Sequence, residues 1–509
     1  MSSRVPISAA PVILSVAVLI MSAAYAQTAK PHAESPSPLA RAKIQLAKHE
    51  LKGAEDSIWK VLSSDPNNAE ALLLLGMVRG EQQRFSEAET LFQRAVQLDP
   101  NGAAGHIALG RIYLAEDKLV SALEQYKQAE QLAPQNIEVH TTAARLYAAT
   151  GDCSIAMTSL DAIPAAHFPA EAIPVKVDCL LSLGHQEEAT RLAERAKSPV
   201  LDLALAEVFV TSKLPQEALK LLDAAAASGK RAPARFYFVK AKALDESGDQ
   251  AGALQNFQKA LALDPASEEF ALAMAEVWAR QGKHREAFAT LQKASKLDPD
   301  SPKILRPLIV EASFAGKSAD AQGAAEQLAA KSKEPQDLYV AASVFLKTGR
   351  QNDAVPVLEK YVALVPNDAR AWVGLGIAYA ELKRSDDARK AFERALQVDP
   401  KFAEAEYQLG LLAGLNSDTA GATHHIERAV EMDPNHALAL EKLGNLYLEA
   451  GQFEKARDAL LKAESLNPND RRTEYGLALA YSKLGNREEA KIHMERFQKF
   501  GPIGSTENK

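Results

Sequence analysis

The sequence has few cysteines, few aromatic residues and no excess of positive charge. Its 509 residues include two cysteines, and only 6% are aromatic. Low aromatic content beside abundant alanine and leucine is expected for stacked helices. No His, Cys or carboxylate set has the ligand spacing of a zinc site. The formal net charge of −7, with both signs interspersed, argues against a nucleic-acid partner, which would favour a basic stripe.

Catalytic motifs are also missing from the sequence. No G-x-S-x-G elbow, H-E-x-x-H helix or glycine-rich dinucleotide fingerprint appears. The Gly-Lys-Ser tripeptide at 316–318 ends like a phosphate-binding loop, but Glu311 stands where that motif needs a glycine. His424 and His425 are adjacent, so they do not face each other on a helix and are expected to be solvated. We therefore predict a protein that is not an enzyme, with no cofactor and no metal site.

The first segment, 1–26, has the pattern of a secretory signal peptide. Arg4 precedes an uncharged, largely apolar run over 9–21, and Ala-Tyr-Ala at 24–26 has the form of a cleavage signal. The residue directly after that site is Gln27 and not a cysteine, which disfavours a lipoprotein. The pattern predicts a periplasmic or secreted protein that contacts the membrane only transiently. The alternative is an inner-membrane anchor formed by 9–26, although this run is shorter than the about 20 apolar residues of a membrane span.

The rest of the chain is organised as an internal repeat. Prolines recur at intervals of 34 residues: Pro66, Pro100, Pro134; Pro265, Pro299; Pro366, Pro400, Pro434, Pro468, Pro502. Glycine recurs at the fifteenth position of eight units, where a left-handed turn would end a first helix: Gly151, Gly184, Gly248, Gly282, Gly316, Gly349, Gly451, Gly485. An alanine in the second half of every unit keeps the same phase. Three markers in one phase predict one helix pair per unit.

The markers divide the chain into fourteen units. We assign them to 35–68, 69–102, 103–136, 137–169, 170–198, 199–233, 234–267, 268–301, 302–334, 335–368, 369–402, 403–436, 437–470 and 471–504. We predict a flexible leader at 27–34, an N-terminal repeat block at 35–169, irregular repeats at 170–233, a C-terminal repeat block at 234–504 and a tail at 505–509. The irregular stretch has two interpretations, a hinge or a tolerated variation. Pro174 is expected in the first turn of a late-starting helix.

The clearest unit, 369–402, carries a recognisable signature. Its order and spacing of residues is Trp372, Leu375, Gly376, Tyr379, Ala388, Phe392, Ala395 and Pro400. This pattern resembles the tetratricopeptide repeat (TPR), a helix–turn–helix of 34 residues, and the resemblance covers nearly all of the chain after the signal peptide. The resemblance implies an all-α, right-handed solenoid of about fourteen units. A single such hairpin cannot bury its own apolar face, so it needs neighbouring units.

The TPR resemblance also implies that a concave surface lined by first helices binds partners. The resemblance places positions 2, 5, 9 and 12 of each unit on this surface, and positions 5 and 9 share a helical face in any case. They predict a partner-binding groove lined by Leu73, Met77, Ile107, Arg111, Val373, Ile377, Tyr407, Leu411, Glu441, Asn445, Tyr475 and Leu479. The alternative is that these side chains pack against neighbouring helices. A TPR carboxylate clamp would place Lys at the position of Glu441, so binding of an acidic chain terminus is not supported.

The two cysteines lie in neighbouring units. Cys153 is expected at the start of a second helix and Cys179 late in the next first helix. Because these helices are antiparallel and adjacent in a TPR stack, the two side chains are expected to be neighbours. A disulfide between them and two buried thiols are both compatible with the sequence.

Together these observations predict a non-catalytic scaffold in the bacterial periplasm or cell envelope that binds a protein or peptide. The alternative is a structural component of an envelope secretion or polysaccharide-export machine. The sequence leaves the oligomeric state open.

Overall fold

The computed structural model describes residues 36–196, 198–227 and 232–499, and within them the chain is built from helices. It forms 28 α-helices there and no β-strand, which confirms the expected all-α fold. The helices are α1 Pro38–Ala47, α2 Leu51–Leu62, α3 Ala69–Glu81, α4 Phe85–Leu98, α5 Ala103–Ala115, α6 Leu119–Leu132, α7 Ile137–Thr150, α8 Cys153–Asp161, α9 Ile173–Ser182, α10 Gln186–Arg195, α11 Pro199–Thr211, α12 Pro215–Ala226, α13 Ala234–Glu246, α14 Gln250–Leu263, α15 Glu268–Arg280, α16 His284–Leu297, α17 Pro302–Phe314, α18 Ser318–Lys331, α19 Pro335–Lys347, α20 Gln351–Leu364, α21 Ala369–Glu381, α22 Ser385–Val398, α23 Ala403–Leu415, α24 Thr419–Met432, α25 Ala437–Glu449, α26 Phe453–Leu466, α27 Arg471–Lys483 and α28 Arg487–Lys499.

The helices form fourteen consecutive pairs, one for each predicted unit. The odd-numbered helix of each pair is its first helix and the even-numbered one its second, and the two pack against each other in every unit. The predicted signal peptide, the leader and the tail at 505–509 lie outside the described residues. Within the described ranges, no helix has both the length and the apolar character needed to span a membrane.

Each helix pair turns through one residue with a left-handed backbone at position 15. The eight predicted glycines adopt it, with φ between 70° and 103°. In the other six units the same position has a positive φ without glycine: His49, Gln83, Asp117, Lys213, Lys383 and Ser417. A non-glycine residue costs about 1–2 kcal/mol in this conformation. The packing of the two helices therefore imposes the turn, and glycine only lowers its cost.

The two helices of a unit pack closely against each other at positions 8 and 24. In unit eleven a Cβ added to Gly376 would lie 2.4 Å from Cε1 of Phe392. Unit nine has the opposite arrangement, with Ile309 at position 8 and Ala325 at position 24, both buried. The two positions thus share one volume, which either helix can fill.

The contacts divide the chain into two compact units, 1–264 and 265–509, called here the N-terminal and C-terminal compact units. The irregular stretch at 170–233 lies inside the N-terminal compact unit, where α9 contacts α8 and α11. Pro174 is in the first turn of α9, as expected, after two short 3₁₀ turns at Ala165–His167 and Ala170–Ala172. A hinge in this stretch remains a prediction.

A tyrosine–glutamate hydrogen bond joins successive units at two places in the C-terminal compact unit. The Tyr379 hydroxyl donates to Glu359 Oε1 of the preceding unit (2.5 Å), and Tyr447 donates to Glu427 Oε1 in the same way (2.7 Å). Burial, reinforced by the bond to the carboxylate, raises the pKa of each tyrosine to about 12. The protonated phenol is therefore the form that the fold favours.

We expect Tyr447 to stabilise the fold fully below pH 10 and to lose that contribution as pH rises toward 12. The sign follows because its folded-state pKa lies above the ordinary value of 10.0. Absorbance titration of the phenolates should show a late-titrating fraction that becomes smaller in Tyr447→Phe. Tyr475→Phe is the matched control, because the Tyr475 ring is exposed. An unchanged late fraction in Tyr447→Phe would contradict the assignment.

Candidate binding groove

Neighbouring first helices contact each other along most of each compact unit. In the C-terminal compact unit, α15, α17, α19, α21 and α23 contact one another in succession, and α25 contacts α27. The predicted groove residues lie on these helices and on α3 and α5 of the N-terminal compact unit. The exposure of these residues on the first helices therefore decides whether the predicted groove is open to a partner.

In the N-terminal compact unit the predicted groove residues take part in packing or ion pairing. Leu73 and Met77 are half-buried against core clusters, and Ile107 is buried in one. Arg111 forms an ion pair with Glu138 of the next unit. For these four residues the contacts are those of the packing alternative.

In the C-terminal compact unit the predicted groove residues differ in exposure. Val373 and Glu441 are buried. The half-buried residues are Ile377, Tyr407, Leu411, Asn445 and Leu479. Tyr475 is 44% exposed. Among these eight predicted residues, Tyr475 of the last repeat is the exposed one.

Sequence reasoning missed several exposed apolar side chains on the first helices. Leu438, at position 2 of its unit, is 55% exposed, and Leu415, at position 13, is 76% exposed. Val310, Phe314 and Tyr339 are exposed on α17 and α19. Listing the residues at positions 2 and 13 would have added Leu438, Leu415 and Phe314, and reading positions 5 and 9 in units nine and ten would have added Tyr339 and Val310. The exposed apolar surface is thus broader than predicted.

Tyr407 has a polar environment at one edge. Its ring lies against the His436 ring, with centroids 5.0 Å apart. His436 Nε2 contacts Glu404 (3.1 Å), while its Nδ1 accepts from the Ala439 amide (3.2 Å), so a proton on Nε2 satisfies both contacts. The bond to Glu404 raises the pKa of His436. Burial and the charges of Glu441 and Glu404 raise the pKa of the Tyr407 hydroxyl, which places these groups in one electrostatic environment.

A buried carboxylate lies directly before each groove tyrosine of units twelve and fourteen. Glu406 is 0% exposed and contacts His425 Nδ1 (2.7 Å) and Arg428 Nη1 (2.9 Å). His425 is half-buried in this network, so the expectation that it is solvated is wrong. No local pattern predicted this pair, because Glu406 belongs to the other helix of the unit.

Unit fourteen repeats this arrangement. Glu474 is 2% exposed and contacts His493 Nδ1 (2.7 Å) and Arg496 Nη1 (3.6 Å). Each carboxylate is at position 4 of its unit, with the histidine at position 23 and the arginine at position 26. Each network joins the first helix, which carries Tyr407 or Tyr475, to the second helix of the same unit.

Two residues of the second network and Glu464 of the preceding unit have side chains of the kind that ligate metals. Ligand atoms of Glu464, Glu474 and His493 lie within 4.8 Å of one another. The Arg496 guanidinium contacts Glu464 at 2.6 Å and already supplies a cation there. The unit-twelve network has the same histidine and arginine with Leu396 in place of Glu464. We therefore interpret the group as an ion-pair network.

The two cysteines belong to one core cluster. Cys153, at the start of α8, and Cys179, late in α9, are buried in the same cluster as thiols. Their oxidation to a disulfide remains a prediction.

Family comparisons cover most of the chain. Models described as tetratricopeptide repeat match residues 39–103, 73–137, 203–268, 339–403 and 407–471, 113–173 and 246–306, and 475–499. No curated protein matches the chain at a significant level.

Solved structures of the same general kind align over all or part of the chain. The Cut9–Hcn1 hetero-tetramer of APC/C is 14% identical over 92% of this chain and 94% of that chain, with a TM-score of 0.41. MamA is 26% identical over 31% of this chain and 92% of its own, with a TM-score of 0.28. YrrB, described as a TPR protein with an unusual peptide-binding site, is 23% identical over 37% of this chain and 97% of its own, with a TM-score of 0.33.

Proposed function

Because the chain belongs to the tetratricopeptide-repeat family, we propose that it is a non-catalytic scaffold whose first helices dock a partner protein or peptide. Stacked repeats of this kind present extended binding surfaces. We place the principal docking surface on the last three units, lined by Tyr407, Leu411, Leu438, Glu441 and Tyr475. It is called the C-terminal groove below.

The observation that carries this proposal is the exposure of large apolar side chains on first helices. Leu438 and Tyr475 are 55% and 44% exposed on adjacent first helices that contact each other. Contiguous exposed apolar surface is characteristic of interaction sites. A helix or an extended segment with apolar anchors would remove this surface from water.

We further propose that the scaffold acts in the bacterial periplasm or cell envelope after cleavage of 1–26. The support is the sequence pattern of that segment, with its apolar run and Ala-Tyr-Ala cleavage signal. Partners would then be envelope proteins or exported peptides.

The groove is tested by combining Tyr407→Ala with Tyr475→Ala. We expect the variant to keep its helicity, because Tyr475 is exposed and Tyr407 is half-buried, and to lose its partners. In-cell crosslinking followed by mass spectrometry measures the proteins captured by each form.

The matched control combines Trp59→Ala with Ile492→Ala. Both side chains are exposed to a similar degree, 49% and 42%, but they lie on second helices. This control should retain its partners. Equal capture by the two double variants would show that we have chosen the wrong surface.

A further inference from the structure

The middle unit of the C-terminal groove carries the carboxylate side chain of Glu441. Position 5 of units twelve, thirteen and fourteen holds Tyr407, Glu441 and Tyr475 in that order. Glu441 is 7% exposed on α25, and α25 contacts α27, which carries Tyr475. An acidic group is thus nearly buried between two aromatic ones on the proposed docking surface.

Buried carboxylates in the C-terminal compact unit otherwise have a basic partner. Four of them contact basic side chains: Glu311 contacts His284, Asp337 contacts Arg306, Glu406 contacts His425 and Arg428, and Glu474 contacts His493 and Arg496. Within residues 265–499, Glu441 is the buried carboxylate that lacks one. Its hydrogen bond comes from the Asn445 side-chain amide at 2.5 Å.

The cations near Glu441 do not outweigh the effect of burial on its carboxyl pKa. Burial, with a contribution from Asp470, raises the pKa of its carboxyl, against the opposing effect of Arg472 and Lys442. Neither of these two cations forms an ion pair with Glu441 among the described residues. A buried carboxylate without a cation is costly, and a cation supplied by a ligand would remove that cost.

The aromatic and apolar residues on α25 and on the first helices of the units before and after it suit the stem of a long basic side chain. Tyr475 is exposed and packs on Phe497, with ring centroids 5.0 Å apart. Tyr407 presents a second aromatic ring in the preceding unit. Leu438, one helical turn before Glu441 on α25, is exposed. Lysine and arginine bury their methylene stems on such apolar surface, and their charged heads are attracted to aromatic faces.

We propose that the C-terminal groove binds a lysine or arginine side chain of a partner segment. The cation forms an ion pair with Glu441, and the apolar residues that flank it in the partner contact Leu438 and Leu411. This assignment rests on the proposed docking function and specifies the chemistry of its ligand. It reverses the charge of a TPR carboxylate clamp, which binds an acidic terminus through lysine.

Selection from a displayed random peptide library on the purified protein tests the assignment. The native protein is expected to enrich peptides with Lys or Arg at one fixed position between apolar residues. Glu441→Gln should remove that preference, because it keeps a hydrogen-bond acceptor for Asn445 but loses the charge. Glu404→Gln is the matched control and should retain the preference, since Glu404 already contacts His436.

Direct binding of the best enriched peptide gives the second measurement. Replacing its arginine by citrulline, or its lysine by norleucine, should weaken binding to the native protein about tenfold or more. The same replacement should have little effect on binding to Glu441→Gln. Circular dichroism of the variant checks that the fold is retained.

The other outcomes are distinguishable. Enriched peptides without a cation, or a preference that survives Glu441→Gln, would overturn the assignment but leave the docking function standing. The same holds if the groove is occupied by a second copy of the chain, seen as a dimer that Tyr475→Ala dissociates. If no peptide is enriched and the crosslinked partners survive the double tyrosine variant, both proposals are wrong.

Discussion

Phe392→Ala is expected to lower the free energy of unfolding of unit eleven by about 3–5 kcal/mol. The Phe392 ring is 1% exposed and fills the space between α21 and α22 that Gly376 leaves open. Alanine would leave a cavity there, because neighbouring units hold both helices in place. Hydrogen exchange of α21 and α22 measures the effect locally, which suits a repeat array that need not unfold as one unit.

A second substitution should restore much of this loss. Combining Phe392→Ala with Gly376→Ile recreates the arrangement of unit nine, where Ile309 faces Ala325 from the same two positions. Gly376→Ile alone should be destabilising, because its Cβ would overlap the Phe392 ring. The two sites should therefore be strongly coupled in a double-mutant cycle. Additive effects would show that the two positions do not share one volume.

Arg306→Leu is expected to destabilise the contact between units nine and ten by about 3 kcal/mol. Asp337 on α19 is 0% exposed, and it forms an ion pair with the Arg306 guanidinium on α17. Without Arg306, the described residues would leave the buried carboxylate with the hydrogen bond that the Ser332 hydroxyl donates (2.6 Å). The thermal midpoint and the hydrogen exchange of α17 and α19 would report the loss.

The control removes both charges. Arg306→Leu with Asp337→Leu should be more stable than Arg306→Leu alone, because no buried charge remains without a partner. Lys331→Leu is a matched surface control, since its ion pair with Asp300 is exposed and contributes little. If Arg306→Leu behaved like Lys331→Leu, the buried pair would not stabilise the contact as we expect.

Much of the fold could be predicted from the sequence because its markers are local. Helix length, turn position and unit length all follow from residues within one unit of 34, so Gly151 or Pro400 is informative by itself. The same local reasoning placed Pro174 in the first turn of α9. It missed the left-handed backbone at Lys383 and Ser417, because the helix pair imposes that turn on residues that do not prefer it.

The candidate site was predicted less completely. Position counting found Tyr407 and Tyr475, but it also selected Ile107, which the core buries, and it omitted Leu438, which is exposed. Exposure depends on how far the neighbouring unit covers a side chain. Helical periodicity within one unit does not contain that information.

The sequence by itself determined that this protein is an all-α array of about fourteen tetratricopeptide repeats, because a repeated local pattern leads to a repeated local structure. Only the tertiary structure decided which buried carboxylates have a cation. Glu406 contacts His425, which is 19 residues away in sequence, and Asp337 contacts Arg306 of the preceding unit. Glu441 has no such partner within residues 265–499. These pairings depend on distances between helices, so the chemistry of the C-terminal groove became visible only in the folded chain.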